Sequence, residues 1–202
     1  MTPPRSAFIP LLLACLLATP LLRAMSVRAP TFPELVAESA TVVRARIVQV
    51  SSHAVFAPNG TRAIRTFVTC ATLKAVKGKP SAEFTLSFLG GSEKGERWVV
   101  PGMPTFAVGE EAFIFTTGHE SICPLVGAMY GRSRVLTSPD GRSYVARDNQ
   151  VPLTSTDEVA APMDGPTDIH TSGAGVVDAL TPDDFEQRIA TEVKTPSRPA
   201  AP

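Results

Sequence analysis

The stretch from Leu35 to Gly91 reads LVAESATVVRARIVQV, then SSHAVFAPNGTRAIRTFVTCATLKAVKGKPSAEFTLSFLGG. It predicts a short helix followed by three strands joined by two turns. Thr31-Phe32-Pro33-Glu34 opens the helix: a capping threonine, an early proline and an acid in the first turn. Thr41 to Ser51 is rich in Val and Ile and is predicted as a strand. Val43, Ala45 and Ile47 then face the core, and Arg44 and Arg46 share the other face. Pro58-Asn59-Gly60 is a turn signal within a long hairpin connection. A second strand is expected over Arg65 to Val76, with Phe67, Thr69, Ala71 and Leu73 on one face and Cys70 on the other. Lys77-Gly78-Lys79-Pro80 breaks it. Phe84, Leu86 and Phe88 alternate with Thr85 and Ser87, the clearest two-residue period in the chain, and Gly90-Gly91 ends that strand.

Beyond Gly91 the pattern continues as β. Ser92 to Gly109 is punctuated by Gly and Pro around the apolar run Trp98-Val99-Val100. Glu111 to Thr117 is almost wholly apolar at Ala112 to Phe115, which predicts a central strand. Met129 to Leu136 and Arg142 to Ala146 form a last predicted hairpin around Ser138-Pro139-Asp140-Gly141. About five long strands and one or two short ones fit an all-β fold with minor helix. The expected form is a small OB-like antiparallel barrel over residues 25–150, because closure removes exposed edges. Residues 151–179 show no periodicity and are expected to be a flexible acidic linker. Thr181-Pro182-Asp183-Asp184 opens a second helix over 180–194, with Leu180, Phe185, Ile189 and Val193 on one stripe. Two readings of that stripe stay open: it docks back on the barrel or dangles, or it docks on a partner. Residues 195–202 are expected to be a disordered tail.

The first two dozen residues carry Arg5, an apolar run from Ala7 to Leu22 broken by Pro10, Thr19 and Pro20, and the small residue Ala24. This is the pattern of a signal peptide over residues 1–24, too broken to serve as a stable span. It points to a secreted or periplasmic protein. The alternative is Leu12-Leu13-Ala14-Cys15 as a lipoprotein box, with Cys15 acylated. Charge is unevenly placed after the leader. Residues 25–150 hold 14 Lys+Arg against 10 Asp+Glu, whereas 151–202 hold 3 against 9. Neither half carries the concentrated basic stripe that nucleic-acid binding requires.

Cys70 and Cys123 remain after the leader, and in an oxidising compartment an even pair is most simply one disulfide. Such a bridge would be worth about 4 kcal/mol in the chain-entropy model. Two separate buried thiols are the alternative. His119-Glu120 with Cys123 is the one cluster with metal-like spacing, but it lacks a second histidine, and no metal or cofactor is expected. Cys123 with His119 is also the only candidate nucleophile and base. No Gly-x-Ser-x-Gly elbow and no phosphate loop occur in the sequence. Asn59-Gly60-Thr61 matches a glycosylation pattern and is read as a turn. Arg44 and Arg46, with Arg62 and Arg65 across the hairpin, would form a basic face. Solvated strand charges explain that face, and an acidic partner or the chain's own acidic tail is the sharper alternative.

The succession of the Leu35–Ala40 helix, a Val/Arg strand, a Thr66–Val76 strand closing on Lys77-Gly78, then Gly90-Gly91, Pro101-Gly102-Met103-Pro104 and Val108-Gly109-Glu110-Glu111 resembles a group of uncharacterised bacterial exported proteins. Its opening is similar to the netrin-like and tissue-inhibitor-of-metalloproteinases modules, over roughly residues 31–136. The resemblance implies an OB-fold barrel. Inhibitors of that kind start their mature chain with a zinc-reaching cysteine and carry several disulfides. The predicted mature start here is Met25, and only Cys70 and Cys123 remain, so the inhibitory wedge has no counterpart. The expectation is an exported, non-enzymatic module that binds another protein or an envelope component. An inhibitor or accessory domain for an extracellular metallopeptidase is the alternative, and an enzyme using Cys123 and His119 ranks behind both.

Overall fold

A computed structural model of the chain describes residues 28–57, 59–119, 121–163 and 174–196. The expected leader and most of the expected tail lie outside these residues. Helix α1 (Phe32–Glu38) starts with a reciprocal capping box: Thr31 accepts from the Glu34 N–H, and the Glu34 carboxylate accepts from the Thr31 N–H at 2.8 Å. Its last carbonyls are taken by Lys77, whose Nζ donates to Val36 O at 2.7 Å and Ala37 O at 3.1 Å.

Eight strands follow among the described residues: β1 (Thr41–Phe56), β2 (Arg62–Lys77), β3 (Glu83–Leu89), β4 (Gly91–Glu93), β5 (Glu96–Trp98), β6 (Glu111–Thr116), β7 (Arg132–Thr137) and β8 (Ser143–Ala146). Six of them form one antiparallel sheet in the order β3-β2-β1-β6-β7-β8, and β4-β5 is a separate small hairpin. The chain is therefore mostly β with minor helix. The sheet is not closed into a barrel. Strands β3 and β8 are its two edges, and each edge is met by irregular chain instead of by a strand.

Three local departures from the sequence reading have simple causes. Strand β1 runs to Phe56 and β2 starts at Arg62, so the hairpin arms are longer than expected. The polar segment Ser51–His53 still pairs, with Ser52 and Thr66 hydroxyls bonded across the strands at 2.9 Å. The tip closes through Ala57 N–H to Thr61 O at 2.9 Å and Gly60 N–H to Ala57 O at 2.8 Å. Second, a bulge between Ile47 and Gln49 shifts the β1–β2 register, and Cys70 stands opposite Ile47. The inward face of β2 is thus Ile64, Val68 and Cys70, while Leu73 is exposed. Third, residues 151–163 of the expected linker are packed. Leu153 is fully buried, and a 3-10 turn at Thr156–Ala160 carries its own capping box from Ser155 and Glu158. Single buried anchors such as Leu153 and Val159 leave no period for a pattern reading to detect.

The sheet is covered on both faces. One face packs Val42, Phe113, Phe115 and Val145 against α1, Leu153, Val159 and helix α3 (Pro182–Lys194). The short helix α2 (Ala174–Val177) precedes α3. Phe185 of α3 sits among Phe32, Phe113 and Phe115, with ring centroids 5.8, 5.0 and 6.4 Å away. The other face packs Val43, Ala45, Ile47, Val68, Cys70, Phe88 and Ile114 under the excursion between β5 and β6, which contributes Met103 and Phe106. This two-sided burial explains the apolar run of β6, which is central in the sheet. The β8 edge is capped by backbone: Val145 N–H donates to Leu180 O at 2.8 Å, Leu153 N–H to Val145 O at 2.9 Å, and Leu180 N–H to Leu153 O at 2.7 Å.

Candidate functional site

The β3 edge is different. Gly90 N–H turns inward to Ile64 O at 2.8 Å, and Leu89 N–H turns outward to Ile122 O at 2.8 Å. By the two-residue alternation of an antiparallel ladder, Phe84, Leu86 and Phe88 bond β2 while Thr85 and Ser87 present their backbone outward. The Leu89–Ile122 bond is where the loop after β6 reaches β3. Away from it the two separate, leaving a cleft of about 400 Å³ along the strand.

Each basic side chain around the cleft, Arg65, Lys79 and the His119 imidazole, has a local reason to be there. Arg65 lies on β2 beside β3; its Nε donates to Ser87 Oγ at 2.7 Å, and its Nη2 to Ser87 O at 2.9 Å and Ser121 O at 2.6 Å. These bonds engage one edge of the guanidinium and hold the fork in place, with Nη1 beyond them. Lys79 is set by the break after β2. Gly78 has φ +77°, and a Cβ there would lie 2.8 Å from Ala40 O, so only glycine fits. Thr72 then holds the returning chain, its N–H on Ala82 O at 2.8 Å and its hydroxyl on Ser81 O at 2.7 Å. His119 follows Gly118 (φ +77°) in the loop after β6, which is pinned by Thr117 N–H to Pro124 O at 2.9 Å. Phe84, Leu86 and Pro124 supply the apolar part of the wall. No Asp or Glu lines the cleft among the described residues. Arg65 and Lys79 form no ion pair among the described residues.

The four arginines expected on one basic face are dispersed. Arg44 pairs with Glu111 at 2.6 Å, and reaches Asp183 and Glu186 of α3 at 3.5 Å each. Burial works against its charge, but Glu111 and Glu186 outweigh that and raise its pKa. Arg46 pairs with the same Glu111 at 3.2 Å. The chain's own acidic helix is thus a partner of this face, with Lys74 also paired to Glu186. Arg62 turns to the β4-β5 hairpin, 2.7 Å from Glu96 and 3.7 Å from Glu93. Only Arg65 belongs to the cleft. A hollow of about 370 Å³ near Arg44, Arg46 and Arg134 is lined by Glu110 and Glu111 as well, so its cations are already neutralised.

The expected Cys70–Cys123 bridge is not formed: both are free thiols. Cys70 is fully buried between strands β1 and β3, and burial pushes its thiol up to about 12. Cys123 packs against the same apolar cluster, where burial outweighs a backbone hydrogen bond at Leu125 and raises its pKa too. Neither is a ready thiolate. Among the described residues no group of three or more His, Cys, Asp and Glu side chains is placed to hold a metal. His53 stacks on Phe67 at 4.3 Å, His119 borders the cleft, and His170 lies outside the described residues.

Sequence reading missed Lys79 and did not join His119 to Arg65. Lys77-Gly78-Lys79-Pro80 registers in sequence only as a strand breaker, and 54 residues separate Arg65 from His119. No protein-family model matches the chain, and no curated protein matches it.

Proposed function

We propose that this chain is an exported, non-enzymatic binding module, an OB-like curled sheet whose β3-edge cleft takes an acidic group of a protein or envelope component. One observation carries the reading. Arg65, Lys79 and His119 converge on a cleft of ligand size that no carboxylate lines among the described residues. Elsewhere the arginines on β1, on β7 and at the hairpin are paired with Glu110, Glu111, Glu93 or Glu96. Arg65 and Lys79, cations at a concave site without an ion pair among the described residues, favour an anionic ligand through complementarity and steering. The OB-like description is supported by β3 swinging back to the loop after β6, through Leu89 and Ile122. Export is supported by the leader pattern of residues 1–24. No helix among the described residues is long and apolar enough to cross a membrane.

The test is fluorescence anisotropy of labelled pentaglutamate against the full chain, with pentaglutamine as the neutral control. The module should bind the acidic probe, lose affinity as salt is raised, and weaken about tenfold or more in a Lys79→Glu/His119→Glu variant. Equal binding of both probes, or indifference to the double reversal, would reject the reading.

A further inference from the structure

We infer that the partner is an extended acidic peptide segment that adds to the sheet as a strand along the β3 edge. This rests on the cationic reading of the cleft and specifies how the ligand is held. The edge opposite, at β8, is sealed by two backbone hydrogen bonds at Val145, whose N–H donates to Leu180 O and whose carbonyl accepts from Leu153 N–H. The β3 edge is sealed at one end only, by Leu89 to Ile122. Between that bond and Pro80, Thr85 turns both its N–H and its C=O into the cleft, and Ser87 turns its N–H. The Ser87 carbonyl already accepts from Arg65. An exposed run of backbone donors and acceptors at a sheet edge is a template for another strand.

The occupant is specified by charge and shape together. Arg65 stands at the Ser87 end of the cleft and Lys79 at the Phe84 end, so carboxylates spaced along an extended chain would meet a cation at either end. A compact anion such as phosphate would use one cation and leave the Thr85 backbone untouched. An extended acidic peptide uses both features, the backbone for affinity and the cations for selection.

The experiment compares a labelled peptide of alternating Glu and Thr with its backbone N-methylated analogue of equal charge. Both are titrated into the full chain, its Lys79→Ala variant and its Thr85→Pro variant. Amide hydrogen exchange is read at Thr85 and Ser87. Strand addition predicts that N-methylation or Thr85→Pro weakens binding about tenfold or more. It also predicts that bound peptide slows exchange at Thr85 and Ser87. Peptide and N-methylated analogue binding equally, both weakened by Lys79→Ala and with exchange unchanged, would overturn strand addition and leave the anionic cleft standing. Binding indifferent to Lys79 would overturn the cleft reading and this inference together. Protection of both amides without peptide, rising with protein concentration, would assign the edge to a second copy of the chain and overturn the peptide. The N-methylated ligand keeps the test decisive even if Thr85→Pro fails to fold.

Discussion

The Arg132 guanidinium lies over the Phe106 ring, 4.4 Å from its centroid, with its side chain only 1% exposed. It also donates to the Asp148 carboxylate, to Thr105 O at 2.6 Å and to Glu110 at 3.4 Å. Burial lowers its pKa, and Asp148 and Glu110 oppose that shift. This one side chain ties β7 to the excursion between β5 and β6 that roofs one face of the sheet. Arg132→Ala would leave Asp148 and the Thr105 carbonyl without a donor and should cost about 3–5 kcal/mol in urea unfolding. A loss within 1 kcal/mol, on the order of an exposed ion pair, would contradict the clamp.

Phe185 anchors α3. It is fully buried, and its ring meets Phe113 edge-on at 5.0 Å. Phe185→Ala should destabilise the whole domain by about 3–5 kcal/mol, because Phe113 and Phe115 lose their cover. Limited proteolysis should then cut within α3, Pro182–Lys194, in the variant and not in the parent. Unchanged stability with an intact cleavage pattern would show that the helix does not hold the sheet.

The capping box of α1 has a pH signature. Arg28, then Thr31 through its backbone and hydroxyl, hold the Glu34 carboxyl down at about 2, below its ordinary 4.5. A depressed folded-state pKa contributes stability above the unfolded value and loses it as pH falls from about 4.5 to about 2. The Tm difference between the parent and Glu34→Gln should therefore be largest above pH 5 and shrink through that window. A difference that stays constant from pH 6 to pH 2 would rule out the Glu34 contribution.

Both free thiols should be slow toward a thiol reagent at pH 8, Cys123 reacting before the fully buried Cys70, and both should react at once after unfolding. Mass spectrometry of the non-reduced protein should show no link between them. A recovered Cys70–Cys123 peptide would contradict the free-thiol arrangement.

Much of the scaffold is legible in the sequence. The alternation of Phe84, Leu86 and Phe88 locates β3, the apolar run Ala112–Phe115 locates the central strand, and Thr31 and Thr181 mark both caps. What is not legible depends on register and on distant meetings. Three register shifts along β1–β2, at Val42/Val43, Arg44/Ala45 and Ile47/Gln49, set which residues of the two strands stand opposite, Ile47 against Cys70 among them, and no propensity marks them. Whether the sheet closes depends on where the edges of β3 and β8 end up, which composition does not encode. The cleft is harder still. Arg65, Lys79 and His119 lie on a strand, a turn and a loop that are far apart in sequence and meet only around the cleft. Arg44 and Arg46 look equally available in sequence, and their neutralisation by Glu111 and α3 is a tertiary fact.

The most direct test of the account is an NMR titration of isotope-labelled full chain with pentaglutamate. Saturable shifts confined to the Arg65 side chain, Lys79, Thr85, Ser87 and His119, fading as salt is raised, are the predicted result. Shifts centred on Arg44 and Arg46, or a cleft that stays silent while the probe binds elsewhere, would contradict it.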